Sequence, residues 1–263
     1  PKTHPYISTG LKANKFGISA KEAVSAYLRA ASLPGLKPIG IDCHIGSQLI
    51  DIHPLLEALD KLLELIDELN EHNIVLEHID LGGGLGVTYE DENPPHPSVY
   101  MHAIQDRIEN RELTLILEPG RSITANAGIF VSQTILTKTT QEKHFAVVDG
   151  AMNDLIRPSL YDAWHRIIPI SIKSSPKENE KTFDIVGPVC ETGDFLGKER
   201  KMCLTAGDLI AVQSAGAYGF AMASNYNTRP KPPEILVDQG KVHLIRRREV
   251  LNSLWQLEQV ITT

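Results

Sequence analysis

Three short segments carry groups suited to holding an anion. They are Asp42-Cys43-His44-Ile45-Gly46-Ser47, Gly82-Gly83-Gly84-Leu85-Gly86 and Glu118-Pro119-Gly120-Arg121, and each ends a short apolar run that reads as a strand. Consecutive glycines let backbone N–H groups come close to an anion. Their spacing is not G-x-G-x-x-G and no obvious helix follows, so this is not a dinucleotide fingerprint. Standing alone, the run could equally be a tight turn. Arginine suits phosphate or carboxylate recognition, and a glutamate at the C-terminal end of a strand stands where α/β sites are built. His44 adds a third polar group at the same kind of position. Two consecutive parallel strands ending in anion-friendly loops match the phosphate site at the rim of a βα barrel.

The second half offers different chemistry. Gly187-Pro188-Val189-Cys190-Glu191-Thr192 sets a thiol beside a carboxylate. A thiol tuned by its surroundings can donate a proton or act as a nucleophile. The alternative, a buried structural cysteine, fits Cys43 and Cys203 better, since both lie on apolar segments. Arg157-Pro158-Ser159-Leu160-Tyr161 places a cation and a phenol four residues apart, and Gly216-Ala217-Tyr218-Gly219 puts another phenol in a glycine-rich turn. The ten histidines are scattered, with no CxxC or HExxH, so no metal site is expected.

Strands and helices must position these groups. Residues 19–31 read as a helix, with Ser19 as N-cap and Glu22 three residues on. Residues 38–45 read as a strand. In 53–72, Leu55, Leu59, Leu62, Ile66 and Leu69 recur at helical spacing, and Leu56 and Leu63 widen the stripe. A strand at 75–81, a polar loop at 89–97, a helix near 97–110 and a strand at 113–118 follow. This alternation implies right-handed βα units and a parallel sheet. Beyond a boundary near 126 the rhythm changes. Strands are expected at 128–137, 144–149, 183–186, 208–214 and 235–245, helices only at 216–225 and 249–260, and a charged surface loop at 173–181. The fold class is therefore α/β plus β, with a mostly antiparallel second part.

Composition narrows the function. With 42% hydrophobic residues in 263, the chain can build an ordinary core. A net charge of −7 argues against nucleic acid as a partner. No apolar run is long enough to span a membrane. Three cysteines make no disulfide framework, which points to a reducing, cytoplasmic setting. The chain opens Pro1-Lys2-Thr3, without an initiator methionine or signal peptide, as a processed chain or a piece of a longer one would.

Taken in order, HIGS, DLGGGLG, EPGR, NDLIRPSLY, GPVCETGD and GAYGFAMASNYN resemble the diaminopimelate decarboxylase family. That family belongs to the fold-III, alanine-racemase-like pyridoxal-phosphate enzymes. The similarity runs from THPYISTG to the C-terminal strands. It implies that residues 1–126 are the C-terminal part of a (β/α)8 TIM-like barrel that binds pyridoxal 5′-phosphate, and that 127–263 are a C-terminal β-rich domain. It implies that His44 stacks on the pyridoxal ring, with Ser47 near the phosphate. Gly83 and above all Gly84 would give backbone donors to that phosphate. Glu118 would pair with the pyridine nitrogen, and Pro119, Gly120 and Arg121 would line the phosphate and substrate. Arg157, Tyr161 and Glu191 would grip the far end of an amino-acid substrate, meso-2,6-diaminopimelate. Tyr218 would touch cofactor and substrate. Cys190 would protonate the carbon that loses CO2, giving L-lysine. Cys190 and Glu191 would reach the site from a partner subunit, so a homodimer is implied.

One family feature is expected to lie outside this chain. The lysine that carries the cofactor belongs to an aromatic-Ala-x-Lys-Ala-Asn motif at the end of the first barrel strand. Lys12-Ala13-Asn14 imitates its last letters, but Ser8-Thr9-Gly10-Leu11 before it is no aromatic strand, and Lys15-Phe16-Gly17-Ile18 matches a later segment. A βα barrel takes about 250 residues and eight strands, whereas the first part here shows three. The expectation is an N-terminally truncated sequence, inactive by itself. Competing readings are a related decarboxylase for ornithine, arginine or carboxynorspermidine, a non-catalytic homologue, and a metal-dependent barrel hydrolase. The pairing of Cys190-Glu191 with the RPSLY segment favours a substrate with a distal carboxylate over these diamino acids.

Overall fold

The computed structural model describes residues 15–170 and 180–261, which fall into two compact units, one ending at Thr124 and one beginning at Ala125. The opening THPYISTG, Lys12-Ala13-Asn14 and the charged stretch up to residue 179 lie outside the described residues.

The first unit runs α1 (Ala20–Ser32), β1 (Gly40–Asp42), α2 (His53–Glu71), β2 (His78–Asp80), α3 (Pro97–Ile108), β3 (Thr114–Ile116) and α4 (Arg121–Thr124). The strands form a parallel sheet in the order β1-β2-β3, with Ile41 opposite Ile79 and Ile79 opposite Leu115. Each regular strand is shorter than the sequence suggests, yet ladder bonds continue past the ends. Glu77 N–H and His78 N–H donate to Ile39 O, Cys43 N–H to Asp80 O, and Leu81 N–H to Ile116 O.

α2 supplies more of the first unit's core than any other element. All seven residues of its expected stripe are buried, with Leu59 and Leu69 wholly so, and they pack with Ile41, Ile79 and Ile104. Each such side chain contributes about 1.5–3 kcal/mol on burial. Pro54 sits in the first turn, where its missing N–H costs nothing. Ser19 does cap α1, but its hydroxyl donates to the Glu22 carboxylate at 2.6 Å rather than accepting a backbone N–H. In α3, Tyr100 is buried and its hydroxyl has no partner among the described residues. Burial pushes its pKa up to about 12. A buried hydroxyl without a partner is a net cost. Tyr100→Phe should therefore leave stability unchanged or raise it by up to about 1 kcal/mol in urea unfolding; a loss of more than that would reveal a partner.

The second unit contains β4 (Phe130–Thr139), β5 (His144–Val148), α5 (Arg157–Tyr161), β6 (Ile167–Pro169), β7 (Lys181–Val186), β8 (Phe195–Met202), β9 (Leu209–Val212), β10 (Glu234–Asp238) and β11 (Lys241–Arg246). Six strands form one sheet in the order β6-β9-β4-β5-β7-β8, and β10-β11 form a separate hairpin. All pairs are antiparallel except β5 with β7. The sheet's core holds Val148, Ile185, Leu196, Ile210 and Val212.

Several expectations need correction here. The expected strand at 235–245 is a hairpin, because Gln239 and Gly240 both take positive φ and turn the chain. Residues 216–225 hold only a 3-10 turn at Phe220–Met222, because Tyr218 has φ of 58° and the neighbouring glycines break the periodicity. Residues 249–260 hold only Leu251–Leu254 in a 3-10 turn. Leu257 and Val260 are almost fully exposed there, so no buried apolar face stabilises a longer helix. The strands β6 and β8 and the short helices α4 and α5 escaped the sequence reading.

Asp184 on β7 ties three segments together. It takes the Lys143 ammonium at 2.6 Å and the Glu199 N–H at 2.9 Å. Burial pushes its carboxyl up, but the lysine and the N–H outweigh this, and it titrates below the ordinary carboxylate range. A depressed folded pKa gives stability that is full above the unfolded value, about 4, and is lost as pH falls through the folded value. Asp184→Asn should flatten that part of the acid-unfolding curve; an unchanged slope below about pH 4 would contradict it.

Candidate functional site

In the first unit, three loops leave the C-terminal ends of β1, β2 and β3, and they are joined to one another. The β2 loop starts with Gly82 N–H donating to Asp80 Oδ1 at 2.8 Å. Gly83 N–H then donates to His44 Nδ1 at 3.3 Å, and Glu118 N–H to Gly82 O at 2.8 Å. Because Nδ1 of His44 accepts, a neutral ring carries its proton on Nε2. A side chain on Gly83 would run into the Glu118 carbonyl, and Gly84 has φ of 106° with Gly46 O only 2.5 Å from where its Cβ would stand. The triple glycine is therefore demanded first by the close packing of these loops. It also leaves an N–H: among the described residues, that of Gly84 has no protein partner.

Gln48 joins the β1 and β2 loops. Its amide donates to Val87 O at 2.6 Å and accepts from Val87 N–H at 3.1 Å, imitating a strand pairing. Leu49 adds backbone bonds with Gly84 O and Gly86 N–H. Arg121, at the start of α4, is buried. Its guanidinium donates to Ser47 Oγ at 3.1 and 3.4 Å and to the Tyr89 hydroxyl at 2.5 Å. A hydroxyl oxygen that accepts from a guanidinium becomes a better O–H donor, so Arg121 strengthens the Ser47 hydroxyl as a donor. Glu118, Pro119 and Gly120 are exposed beside it. Of the eight expected residues of this unit, His44, Ser47, Gly83, Gly84, Glu118, Pro119 and Gly120 lie in loops at the C-terminal ends of β1 to β3, and Arg121 opens α4 directly after them. Two carboxylates beneath them, Asp42 and Asp80, face each other in register, and burial, then Asp80, raises the Asp42 pKa.

The second unit gathers its own set. Asp194, buried, accepts Met152 N–H on Oδ1 and Val189 N–H on Oδ2, both at 2.7 Å. Gly187 N–H donates to Asp194 O and Asp194 N–H to Glu191 O, which closes the 187–194 loop on itself. Burial raises the Asp194 pKa, and the two N–H groups only partly offset it. The loop holds Cys190 and Glu191 on its exposed side. Tyr226 donates to Glu191 Oε2 at 2.5 Å, and that bond, with the charges of Glu191 and Cys190, raises the phenol pKa. Ser159 of α5 donates to Gly193 O at 2.5 Å, so the helix carrying Arg157 and Tyr161 abuts this loop. Arg157 is buried against His165. Tyr218 is half exposed in a left-handed backbone conformation, which costs free energy for a residue other than glycine.

Sequence reasoning missed Gln48, Tyr89, His165, Asp194 and Tyr226. Tyr89 had one signal, an aromatic residue in an otherwise polar, proline-rich loop. Asp194 had another, an acidic residue closing the GPVCETGD run. Gln48 and His165 had none, because their partners are distant backbone or side-chain groups. Among the described residues no group of three or more His, Cys, Asp and Glu could hold a metal, and no helix is long and apolar enough to cross a membrane.

Comparison with known proteins shows what the chain is similar to. Residues 1–125 match the model of the pyridoxal-dependent decarboxylase, pyridoxal binding domain. The diaminopimelate decarboxylase of Vibrio cholerae is 57% identical over 262 residues, 99% of this chain and 62% of that protein. That of Haemophilus influenzae is 54% identical over 261 residues, 98% of this chain and 62% of that protein. The crystal structure of the Helicobacter pylori diaminopimelate decarboxylase complexed with L-lysine matches with a TM-score of 0.91 at 44% identity, covering 98% of this chain and 64% of that one. The chain thus spans about 62% of the length of the curated relatives it matches. With the loops at the ends of β1 to β3, the Cys190-Glu191 loop and the α5 segment all inside this continuous similarity, the chain resembles diaminopimelate decarboxylases along nearly its whole length.

Proposed function

We propose that the complete protein decarboxylates meso-2,6-diaminopimelate to L-lysine with pyridoxal 5′-phosphate, the last step of lysine biosynthesis. We further propose that residues 1–126 belong to its (β/α)8 barrel and 127–263 to its β-rich domain. The observations that support this are the hydrogen-bonded loops around His44, Gly83 and the Arg121-backed Ser47 on one unit, and the Glu191–Tyr226 and Arg157–His165 contacts on the other.

The rim fits the cofactor by its donor chemistry. The Gly84 N–H and a Ser47 hydroxyl backed by the Arg121 guanidinium suit a phosphate. The exposed Glu118 carboxylate suits a pyridine N–H, and the His44 ring, fixed through Nδ1, suits stacking on an aromatic face. Bound pyridoxal phosphate supplies the electron sink for the carbanion left by CO2 loss. Glu118 keeps the proton on the ring nitrogen. Arg157 pairs with the distal carboxylate of the substrate, Tyr161 borders it, and Glu191, oriented by Tyr226, takes the distal amine. Tyr218 contacts cofactor and substrate. Cys190 gives its proton to the carbon that has lost CO2. These residues orient the scissile bond and fix where the proton arrives.

We infer a homodimer in which Cys190 and Glu191 of one copy serve the cofactor held by the other, working in the cytoplasm without nucleic acid or membrane. The test is product analysis with the complete, cofactor-loaded protein. One L-lysine should form for each CO2 released from meso-diaminopimelate; CO2 without lysine, or neither, would refute the proposal.

A further inference from the structure

Arg157 lies at the start of α5, a helix of only five residues, and the residue is buried, with 6% of its surface exposed. A guanidinium has donors only, so a buried partner must accept. One partner is His165, which is completely buried: Nη1 of Arg157 stands 2.9 Å from its Nε2. The other ring nitrogen, Nδ1, stands 2.8 Å from the carbonyl oxygen of Gln213. A carbonyl only accepts and a guanidinium only donates, so the two contacts fix the tautomer. Nδ1 carries the hydrogen, Nε2 carries the lone pair, and the ring is neutral.

The sheet sets the position of that ring. His165 comes just before β6, and β6 pairs antiparallel with β9 through Ile167 and Val212. Gln213 N–H donates to Arg166 O, which extends the pairing to the residue next to His165. Asp162, in the left-handed conformation, ends α5 and turns the chain so that residue 165 returns to residue 157. The ring is thus clamped at one nitrogen by the edge of the sheet and presents the other to Arg157.

We propose that His165 is a positioning residue that sets the Arg157 guanidinium for the distal carboxylate of the substrate; this rests on the substrate reading of Arg157 given above. The choice of partner matters. A carboxylate at this place would fix the guanidinium equally well but would cancel its charge. A neutral imidazole fixes it without adding a negative charge that would compete with an incoming carboxylate.

Two substitutions separate positioning from mere packing. The side-chain oxygen of His165→Gln reaches the place of Nε2 and keeps the acceptor for Arg157. His165→Asn keeps only the donor toward Gln213 O. L-lysine retains the distal carboxylate of the substrate, and cadaverine is the same diamine without it. Equilibrium binding of both to the complete, cofactor-loaded enzyme, with thermal unfolding alongside, is the test. In H165N, L-lysine should bind about 10-fold more weakly or worse, with cadaverine changed by less than about 2-fold. H165Q should recover most of the lysine affinity even if its unfolding temperature falls as far. If both variants weaken both ligands alike, in step with lost stability, His165 only packs and the proposal is wrong. Arg157→Lys separates the two levels. Weakened lysine binding in R157K with unchanged binding in H165N overturns the role of His165 and leaves that of Arg157 standing. Unchanged binding in both overturns the reading of Arg157 as well.

Discussion

Cys190→Ala should lower kcat for meso-diaminopimelate by about 10²- to 10⁴-fold, the usual worth of a positioned proton donor, with little change in KM or unfolding temperature. The split follows from the loop. Cys190 is exposed, and the 187–194 segment is built by Asp194, which binds Met152 N–H and Val189 N–H, rather than by the thiol. Removing the sulfur therefore leaves Glu191 and its bond from Tyr226 in place. Rapid-quench measurement of CO2 release against lysine formation would locate the defect. Carbon–carbon cleavage should continue while protonation of the product carbon slows. A mutant with normal turnover would remove Cys190 from the chemistry, and one with a collapsed unfolding temperature would assign it to structure.

Gly84→Ala should be the most damaging single change in the first unit. The residue has φ of 106°, and its new Cβ would stand 2.5 Å from Gly46 O, a backbone atom that cannot swing aside. The left-handed backbone costs about 1–2 kcal/mol, and forcing apart packed loops costs about 1–3 kcal/mol. A total near 3 kcal/mol displaces the β1 and β2 loops, which Leu49 N–H to Gly84 O and the Gln48 amide hold together. Because the Gly84 N–H is itself a proposed phosphate donor, pyridoxal phosphate affinity should fall by more than about 100-fold. Absorbance titration with the cofactor, beside urea unfolding, checks both numbers. Near-normal cofactor affinity in G84A would place the phosphate elsewhere.

What could be read from the sequence divides along a physical line. The helix α2 and the presence of three parallel strands between helices were legible because they rest on local periodicity and alternation, and every residue of the α2 stripe is buried as expected. The chemistry-bearing loops were legible because short-range spacing places glycines, an arginine and a glutamate just after strands. The connections among them were not. Arg121 reaches Ser47 across 74 residues and Tyr89 across 32, and His165 is fixed by Gln213 across 48. Nothing in the types or spacing of those residues announces such pairs. The expected helix at 216–225 failed for a related reason. Its alanines, phenylalanine and methionine suit a helix, but Gly216 and Gly219 do not, and Tyr218 takes a left-handed conformation within the turn they form.

On the proposed function, the second unit recognises a distal carboxylate through Arg157. The most direct measurement is kcat/KM of the complete enzyme on meso-diaminopimelate against ornithine, which has no second carboxylate. A buried, positioned arginine left without its anion should cost ornithine about 100-fold or more. Comparable values for the two substrates would contradict the account.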